Sequence, residues 1–309
     1  MKRIISFIIL SAMILSLSAC NTAGNTETSP SALQTTAAPT TVATEPVTEV
    51  PESLKILAIG NSFSVDTTWH LYNVAKAEGI KNIVIGNMFV GSCTLVMHVD
   101  NAKNNNAAYV YYKNTQGDWM KTPDTTLEYA LQDEQWDIIV MQQASKDSGM
   151  PDSYTPYVDK LIEYVDEKVT NKDYKLYWNM TWAYQGDYQS NSFVKYGNNQ
   201  STMYECITKA VQAKIVNNEA FDGVIPVGTV IQNARTGMGD TLTRDGTHLS
   251  EFGRLLGAYT WYCTFTNQTL TEVKLKNFNS KALTKDEKDL IIKTVNGALE
   301  APFEITKAW

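Results

Sequence analysis

The sequence predicts an α/β protein built on a largely parallel sheet covered by helices on both faces. Two observations carry this. Short apolar runs of β type recur along the chain, and helical patterns fall between them. The first run, Leu54-Lys55-Ile56-Leu57-Ala58-Ile59, stops at Gly60. A helical pattern follows from about Val65 to Glu78, with Leu71, Val74 and Ala75 on one face. Further runs lie at Asn82 to Met88, Trp136 to Met141, Tyr174 to Met180 and Gly223 to Val227. Helical patterns fill about 153–168 and 200–217. The interval 107–121 breaks the rhythm: Tyr109, Tyr111 and Tyr112 precede Gln116-Gly117 and Trp119, which reads as a β-hairpin insertion. A helix is expected after Leu249, continuing to about Phe265, and a last one over about 284–299. Thr284-Lys285-Asp286-Glu287 forms a capping box for the latter.

Not all 309 residues are expected in that fold. Lys2 and Arg3 precede a short apolar run, Ile4 to Leu17, which has the length and flanks of a targeting segment rather than a membrane span. It ends in Leu17-Ser18-Ala19-Cys20. That ending resembles the lipobox of bacterial lipoproteins, in which the peptide is cut before the Cys and the new terminus is acylated. The resemblance implies an extracytoplasmic protein anchored to the membrane through Cys20. An ordinary signal peptide with a Cys near its cleavage point is the plainer reading. Residues 21–52 are rich in Thr, Ala, Ser and Pro and poor in large apolar residues, so they cannot bury enough surface to offset their ordering entropy. They read as a disordered tether, leaving 53–309 as one domain.

Composition narrows the function. Acidic residues outnumber basic ones 33 to 26, which argues against nucleic acid as the main partner. After Cys20, three cysteines remain, Cys93, Cys206 and Cys263, and their spacing matches no zinc pattern. The three histidines are far apart with no His-Glu-x-x-His stretch, so neither a metal nor another cofactor is expected. Sixteen Tyr and seven Trp suit either a packed core or stacking platforms for sugars.

Two motifs carry chemistry. Gly60-Asn61-Ser62-Phe63-Ser64 follows the first strand and opens the first helix. Ligands of open α/β sheets bind beyond the carboxyl ends of the strands, and a helix N-terminus favours developing negative charge. Ser62 there is placed to act as a nucleophile, although Ser62 or Ser64 would serve equally as a helix cap. Near the other end stands Arg244-Asp245-Gly246-Thr247-His248. Asp245, three residues before His248, can fix the tautomer of its imidazole across a tight turn, and the outer nitrogen can then take a proton from Ser. A surface turn with a capping Asp is the alternative.

Taken together the motifs resemble the SGNH (GDSL-like) hydrolase superfamily, and in particular a bacterial branch largely without assigned function. The likeness covers nearly all of 54–265. It implies a flavodoxin-like three-layer α/β/α sandwich and a serine esterase with Ser62, Asp245 and His248 as its triad. It also implies an oxyanion site made by the amides of Ser62 and Gly91, with Gly91 lying in Val90-Gly91-Ser92-Cys93. The superfamily's third block, Gly-x-Asn-Asp, is absent. Met141-Gln142-Gln143-Ala144-Ser145 stands in its place, so Gln143 is expected to supply the third donor, with Gln142 and Ser145 as competitors.

The resemblance and the anchor imply an acylated carbohydrate as the ester substrate, with O-acetyl as the acyl group. Trp182 and Tyr184 could line the cleft, with core packing an equal reading for Trp182. Arg235 could meet an anionic substrate or form a surface ion pair. His98 could lie near the cleft or on a solvated loop. Two other classes compete: a non-catalytic glycan-binding lipoprotein on the same fold, and a solute-capture lipoprotein of a transporter.

Overall fold

The computed structural model describes residues 49–309. Cys20, the targeting segment and most of the expected tether lie outside them. The chain runs β1 (Ser53–Gly60), α1 (Ser62–Thr68), α2 (Leu71–Glu78), β2 (Asn82–Phe89), α3 (Leu95–Lys103), β3 (Tyr109–Asn114) and β4 (Trp119–Thr125). It continues through α4 (Leu127–Asp133), β5 (Ile138–Met141), α5 (Tyr157–Lys168), β6 (Lys175–Asn179), α6 (Asn191–Val194) and α7 (Gln200–Val211). It closes with β7 (Gly223–Ile225), α8 (Val227–Met238), α9 (Glu251–Thr266), a small hairpin β8 (Asn277–Phe278) and β9 (Lys281–Ala282), and α10 (Lys285–Glu300).

The main sheet has the order β4-β3-β2-β1-β5-β6-β7. Strands β2, β1, β5, β6 and β7 are parallel, while β3 and β4 add antiparallel at one end. The parallel strands follow the flavodoxin-like order 2-1-3-4-5, so the chain reverses direction of travel beside β1, between β2 and β5. Helices α1, α2, α8, α9 and α10 pack on one another as one layer, and α3, α4 and α5 as another. This is a three-layer α/β/α sandwich. Ile56, Leu57, Ile85, Ile139, Leu176 and Ile225 are buried between the layers. The packed region reaches back before Ser53: Val50 rests on the core, and the Glu52 carbonyl accepts from the N–H groups of Lys81 and Asn82.

The five expected parallel strands and the hairpin are present, the hairpin as the end of the main sheet rather than a separate insertion. The helix expected over 65–78 is two helices. The carbonyl of Trp69 is taken by the indole Nε1–H of Trp119 at 3.2 Å, and the chain turns at His70 before α2 begins. The pattern over 200–217 holds to residue 216 because α7 runs on through a wider π turn. Helices α3, α4 and α8 lie outside the helical patterns expected from the sequence. Every residue of α8 from Val227 to Arg235 is buried, the polar Thr229, Gln232, Asn233 and Arg235 included, so it is covered on all sides rather than half-exposed. It presses so closely on the loop after β6 that a Cβ on Gly228 would lie 2.3 Å from the Thr181 carbonyl oxygen.

Candidate active site

The end of β1 sets the first side chain. Asn61 is extended (φ −143°, ψ −155°) and caps α1: its Oδ1 accepts from Phe63 N–H at 3.0 Å. The cap is therefore Asn61, and Ser62 is free of that role. Asn61 is itself fixed. Its Nδ2 donates to the Cys93 carbonyl at 3.1 Å, and its Oδ1 also accepts from Gln142 Nε2 at 3.0 Å. Gln142 Oε1 accepts from Asn179 Nδ2 at 2.8 Å, and Asn179 Oδ1 accepts from Trp261 Nε1 at 3.1 Å. A buried amide relay thus crosses the carboxyl ends of β6, β5 and β1 and locks the turn that presents Ser62. Every member is satisfied, which is the condition under which a buried polar network rigidifies its surroundings. The N–H of Ser62, first in its helix, has no intrahelical acceptor.

The loop between α8 and α9 sets the second group. Thr243 and Leu249 pair as an antiparallel bridge, and Arg244 N–H donates to the His248 carbonyl at 2.8 Å. Gly246 has φ +88°, and a Cβ there would meet the Tyr188 ring at 2.4 Å, so the turn requires glycine on both counts. Inside this turn Asp245 Oδ1 accepts from Thr247 N–H (2.9 Å), Thr247 Oγ1 (3.0 Å) and His248 N–H (2.8 Å). Asp245 Oδ2 faces His248 Nδ1 at 2.7 Å. Burial opposes the charge on Asp245, but the hydrogen bonds from His248 and Thr247 outweigh it and hold the carboxyl well below the usual range. Ionised Asp245 fixes the proton on Nδ1 and leaves Nε2 as an acceptor. Ser62 Oγ lies 2.8 Å from that Nε2 across 186 positions of sequence.

These groups open onto a cavity of about 230 Å³ whose walls include Ser92, Ser145, Lys146, Tyr184, Tyr188 and Thr247. It lies where the order of parallel strands reverses. The arrangement can pass a proton from the Ser62 hydroxyl to His248 while Asp245 stabilises the imidazolium.

The other expected residues divide. Tyr184 lines the cavity, with its hydroxyl 2.9 Å from Ser145 Oγ. Gln143 does not act there: its Nε2 donates to the Ser153 carbonyl and Oγ, and its Oε1 accepts from Leu95 and Ala144 N–H. All of its amide is committed to holding three backbone segments. Gln142 is likewise spent on the relay. The loop after β2 brings Ser92, rather than Gly91, to the cavity wall. Trp182 is fully buried and is no sugar platform. It stacks on Phe63 (4.1 Å, 4° between planes) and donates to the Thr247 carbonyl at 2.7 Å, so it braces both sides of the Ser62–His248 contact from beneath. Arg235 is no substrate contact and no surface ion pair. It is buried, donates to the Ala183 carbonyl, and has Nε 2.8 Å from Asp240 Oδ1. His98 lies neither on a loop nor in the cleft. It is buried in α3, stacked on Tyr109, with Nδ1 3.0 Å from the Tyr109 hydroxyl. Burial pulls its pKa down to about 4. Cys93, Cys206 and Cys263 are free thiols. Among the described residues no group of three or more His, Cys, Asp or Glu side chains is placed to hold a metal, and no helix is long and apolar enough to cross a membrane.

A family model described as a domain of unknown function, DUF4886, matches residues 55–294. The chain belongs to the DUF4886 family. A DUF4886 protein from Bacteroides uniformis, solved as a crystal structure, is 39% identical, with a TM-score of 0.77 over 82% of this chain and 98% of that one. The DUF4886 fold is also similar to a provisionally assigned SGNH hydrolase from Slackia heliotrinireducens. That protein shares 22% identity and has a TM-score of 0.45 over 69% of this chain and 99% of that one. An acetyl xylan esterase is more distant, at 11% identity and a TM-score of 0.39 over 68% and 99%. Likenesses of this size do not transmit an activity. No curated protein matches this DUF4886 chain.

Proposed function

We propose that this protein is a serine hydrolase of the SGNH type that cleaves small acyl esters, with O-acetyl groups on carbohydrate as the substrate class. The observation that carries the reading is the continuous chain Ser62 Oγ–His248 Nε2–His248 Nδ1–Asp245 Oδ2, with links of 2.8 and 2.7 Å, opening into a cavity. In the reaction Ser62 Oγ bonds to the ester carbonyl carbon while its proton passes to His248 Nε2, and the carbonyl electron pair moves onto oxygen. The tetrahedral centre collapses, the alcohol leaves with the proton from His248, and the acyl group stays on Ser62. Water, deprotonated by His248, then releases the acid.

The developing oxyanion would be met by the free Ser62 N–H at the start of α1, by the amides of the Gly91-Ser92 loop, and by the Ser145 hydroxyl in place of the committed Gln143. The cavity, smaller than the ~300–1,000 Å³ of drug-sized sites, favours a short acyl group. Its hydroxyl-bearing walls favour a polar alcohol.

The test is ester hydrolysis by the full chain on p-nitrophenyl acetate and acetylated sugars, beside Ser62→Ala. Turnover lost in Ser62→Ala at an unchanged melting temperature supports the reading, as does stoichiometric fluorophosphonate labelling of Ser62. Equal turnover in the variant overturns it. Glycan binding with no ester cleavage by the native chain would favour the non-catalytic reading, which the altered third block motivates. Anchoring through Cys20 belongs to the same proposal, and mass spectrometry of the mature N-terminus for an acylated Cys20 decides it.

A further inference from the structure

Asp66 lies four residues after Ser62 on α1, one helical turn further on, and is almost wholly buried at 1% exposure. A lone carboxylate at such a site is costly unless it is fully partnered. Asp66 is partnered from three directions. Its Oδ2 accepts the N–H of Leu249, the residue directly after His248, at 2.8 Å. Both oxygens accept from Arg244 Nη1, at 3.0 and 3.2 Å, and Arg244 directly precedes Asp245. Its Oδ1 accepts from Arg254 Nε at 2.8 Å, on α9. Arg244 Nη1 also donates to the carbonyl of Leu249, so one guanidinium bridges the two ends of the segment that holds Asp245 and His248. Arg254 is steadied in turn by Glu251 at 2.7 Å and by the Trp69 ring, 5.0 Å below its guanidinium. Glu251 is held by His70 Nε2 at 2.9 Å.

We infer that Asp66 is a positioning residue: it fastens the Asp245–His248 segment to the helix that carries Ser62. The inference rests on the hydrolase reading above. Nucleophile and base reach one another from opposite ends of the chain, and an error of an ångström between them is enough to cost a large part of the rate. The direct contact between Ser62 and His248 is a single hydrogen bond. Asp66 supplies a second tie between the same two segments, through backbone on one side and charge on the other. Neither its oxygens nor the two guanidinium groups stand among the residues lining the cavity. Its effect is therefore on geometry rather than on substrate contact, and it should appear in kcat and not in KM.

The experiment compares Asp66→Asn, Arg244→Gln and Val295→Ala in the full chain. In Asp66→Asn an amide NH₂ faces N–H donors on every side, and the two guanidinium groups lose their counter-charge. Arg244 is 41% exposed in its side chain, so Arg244→Gln tests the same tie with less risk to folding. Val295 is buried in α10, away from the cavity, and its truncation lowers the melting temperature without touching the tie. Each variant is assayed at least ~15 °C below its own melt for p-nitrophenyl acetate turnover and for the rate of fluorophosphonate labelling of Ser62.

The expected result is a loss of about tenfold or more in kcat and labelling rate for Asp66→Asn, a smaller loss for Arg244→Gln, and KM within about twofold in both. Val295→Ala should keep native kcat at a comparable loss of melting temperature. Arg244→Gln with native kcat, or a kcat loss in Val295→Ala matching that of Asp66→Asn, overturns the inference. If Ser62→Ala retains activity, the hydrolase reading falls instead, and the two failures are told apart by that single control.

Discussion

Asp245→Asn isolates the contribution of the carboxylate, because the surrounding bonds dictate how the new amide sits. At the Oδ1 position three donors converge, the N–H groups of Thr247 and His248 and the Thr247 hydroxyl, so that position must keep an oxygen. The NH₂ is thereby forced to the Oδ2 position, 2.7 Å from His248 Nδ1. It can only donate there, so Nδ1 must accept and the imidazole proton moves to Nε2. Nε2–H then points a donor at Ser62 Oγ and can no longer take its proton. The backbone turn keeps its three hydrogen bonds, and Asp245 is half exposed, so the melting temperature should move little. Turnover should fall by about 1,000- to 10,000-fold, the scale on which a wrong tautomer acts in a serine triad. That is about 4–5.5 kcal/mol of transition-state stabilisation. The assay is steady-state ester hydrolysis near neutral pH with circular dichroism to certify the fold. A loss of less than about tenfold in a folded variant would refute the tautomer argument.

Removing the Ser145 hydroxyl, as Ser145→Ala, should lower kcat by about 100-fold if it meets the oxyanion, with the melt unchanged. Native kcat in that variant would return the third donor to the backbone. Acidification should also destabilise the fold through His98. Its folded pKa of about 4 lies below the unfolded value near 6.5, so between those pH values the unfolded chain binds a proton that the native state refuses. Stability from this group is intact above pH ~6.5 and falls as pH drops, by about 3 kcal/mol when fully developed near pH 4. Urea midpoints of the native protein and His98→Gln, compared at pH 7 and 4.5, measure it, and parallel pH slopes would exclude His98 as the cause.

Much of this was readable in the residues, for physical reasons that also explain what was not. Ser62, Asp245 and His248 could be read because short-range rules specify each: a turn after a strand, and a carboxylate three residues before an imidazole. The parallel strands were visible because strands buried on both faces leave continuous apolar runs such as Leu54 to Ile59. Gln143 misled because its amide has the right donor chemistry, and only the fold reveals that Leu95, Ala144 and Ser153 consume it. Trp182 takes the core-packing reading that stood beside the cleft one, whereas Arg235 and His98 match neither of theirs, since a cation and an imidazole carry no mark in sequence of being buried. Asp66 gave no signal at all. Its partners are 178 to 188 positions away, and no local pattern announces a carboxylate destined for two arginines. Asn61, Gln142 and Asn179 had one weak signal in common: each is a polar amide directly at or just after the end of a parallel strand.

The two ends of the main sheet bear on how the molecule behaves when crowded. At one end β4 carries Pro123, Lys121 and Asp124 within seven residues. At the other β7 is three residues long and runs into Pro226. A strand offers itself to another molecule through an uninterrupted row of free backbone donors and acceptors, and neither border provides one. The borders of the main sheet therefore offer a second copy no ready template for strand-to-strand pairing.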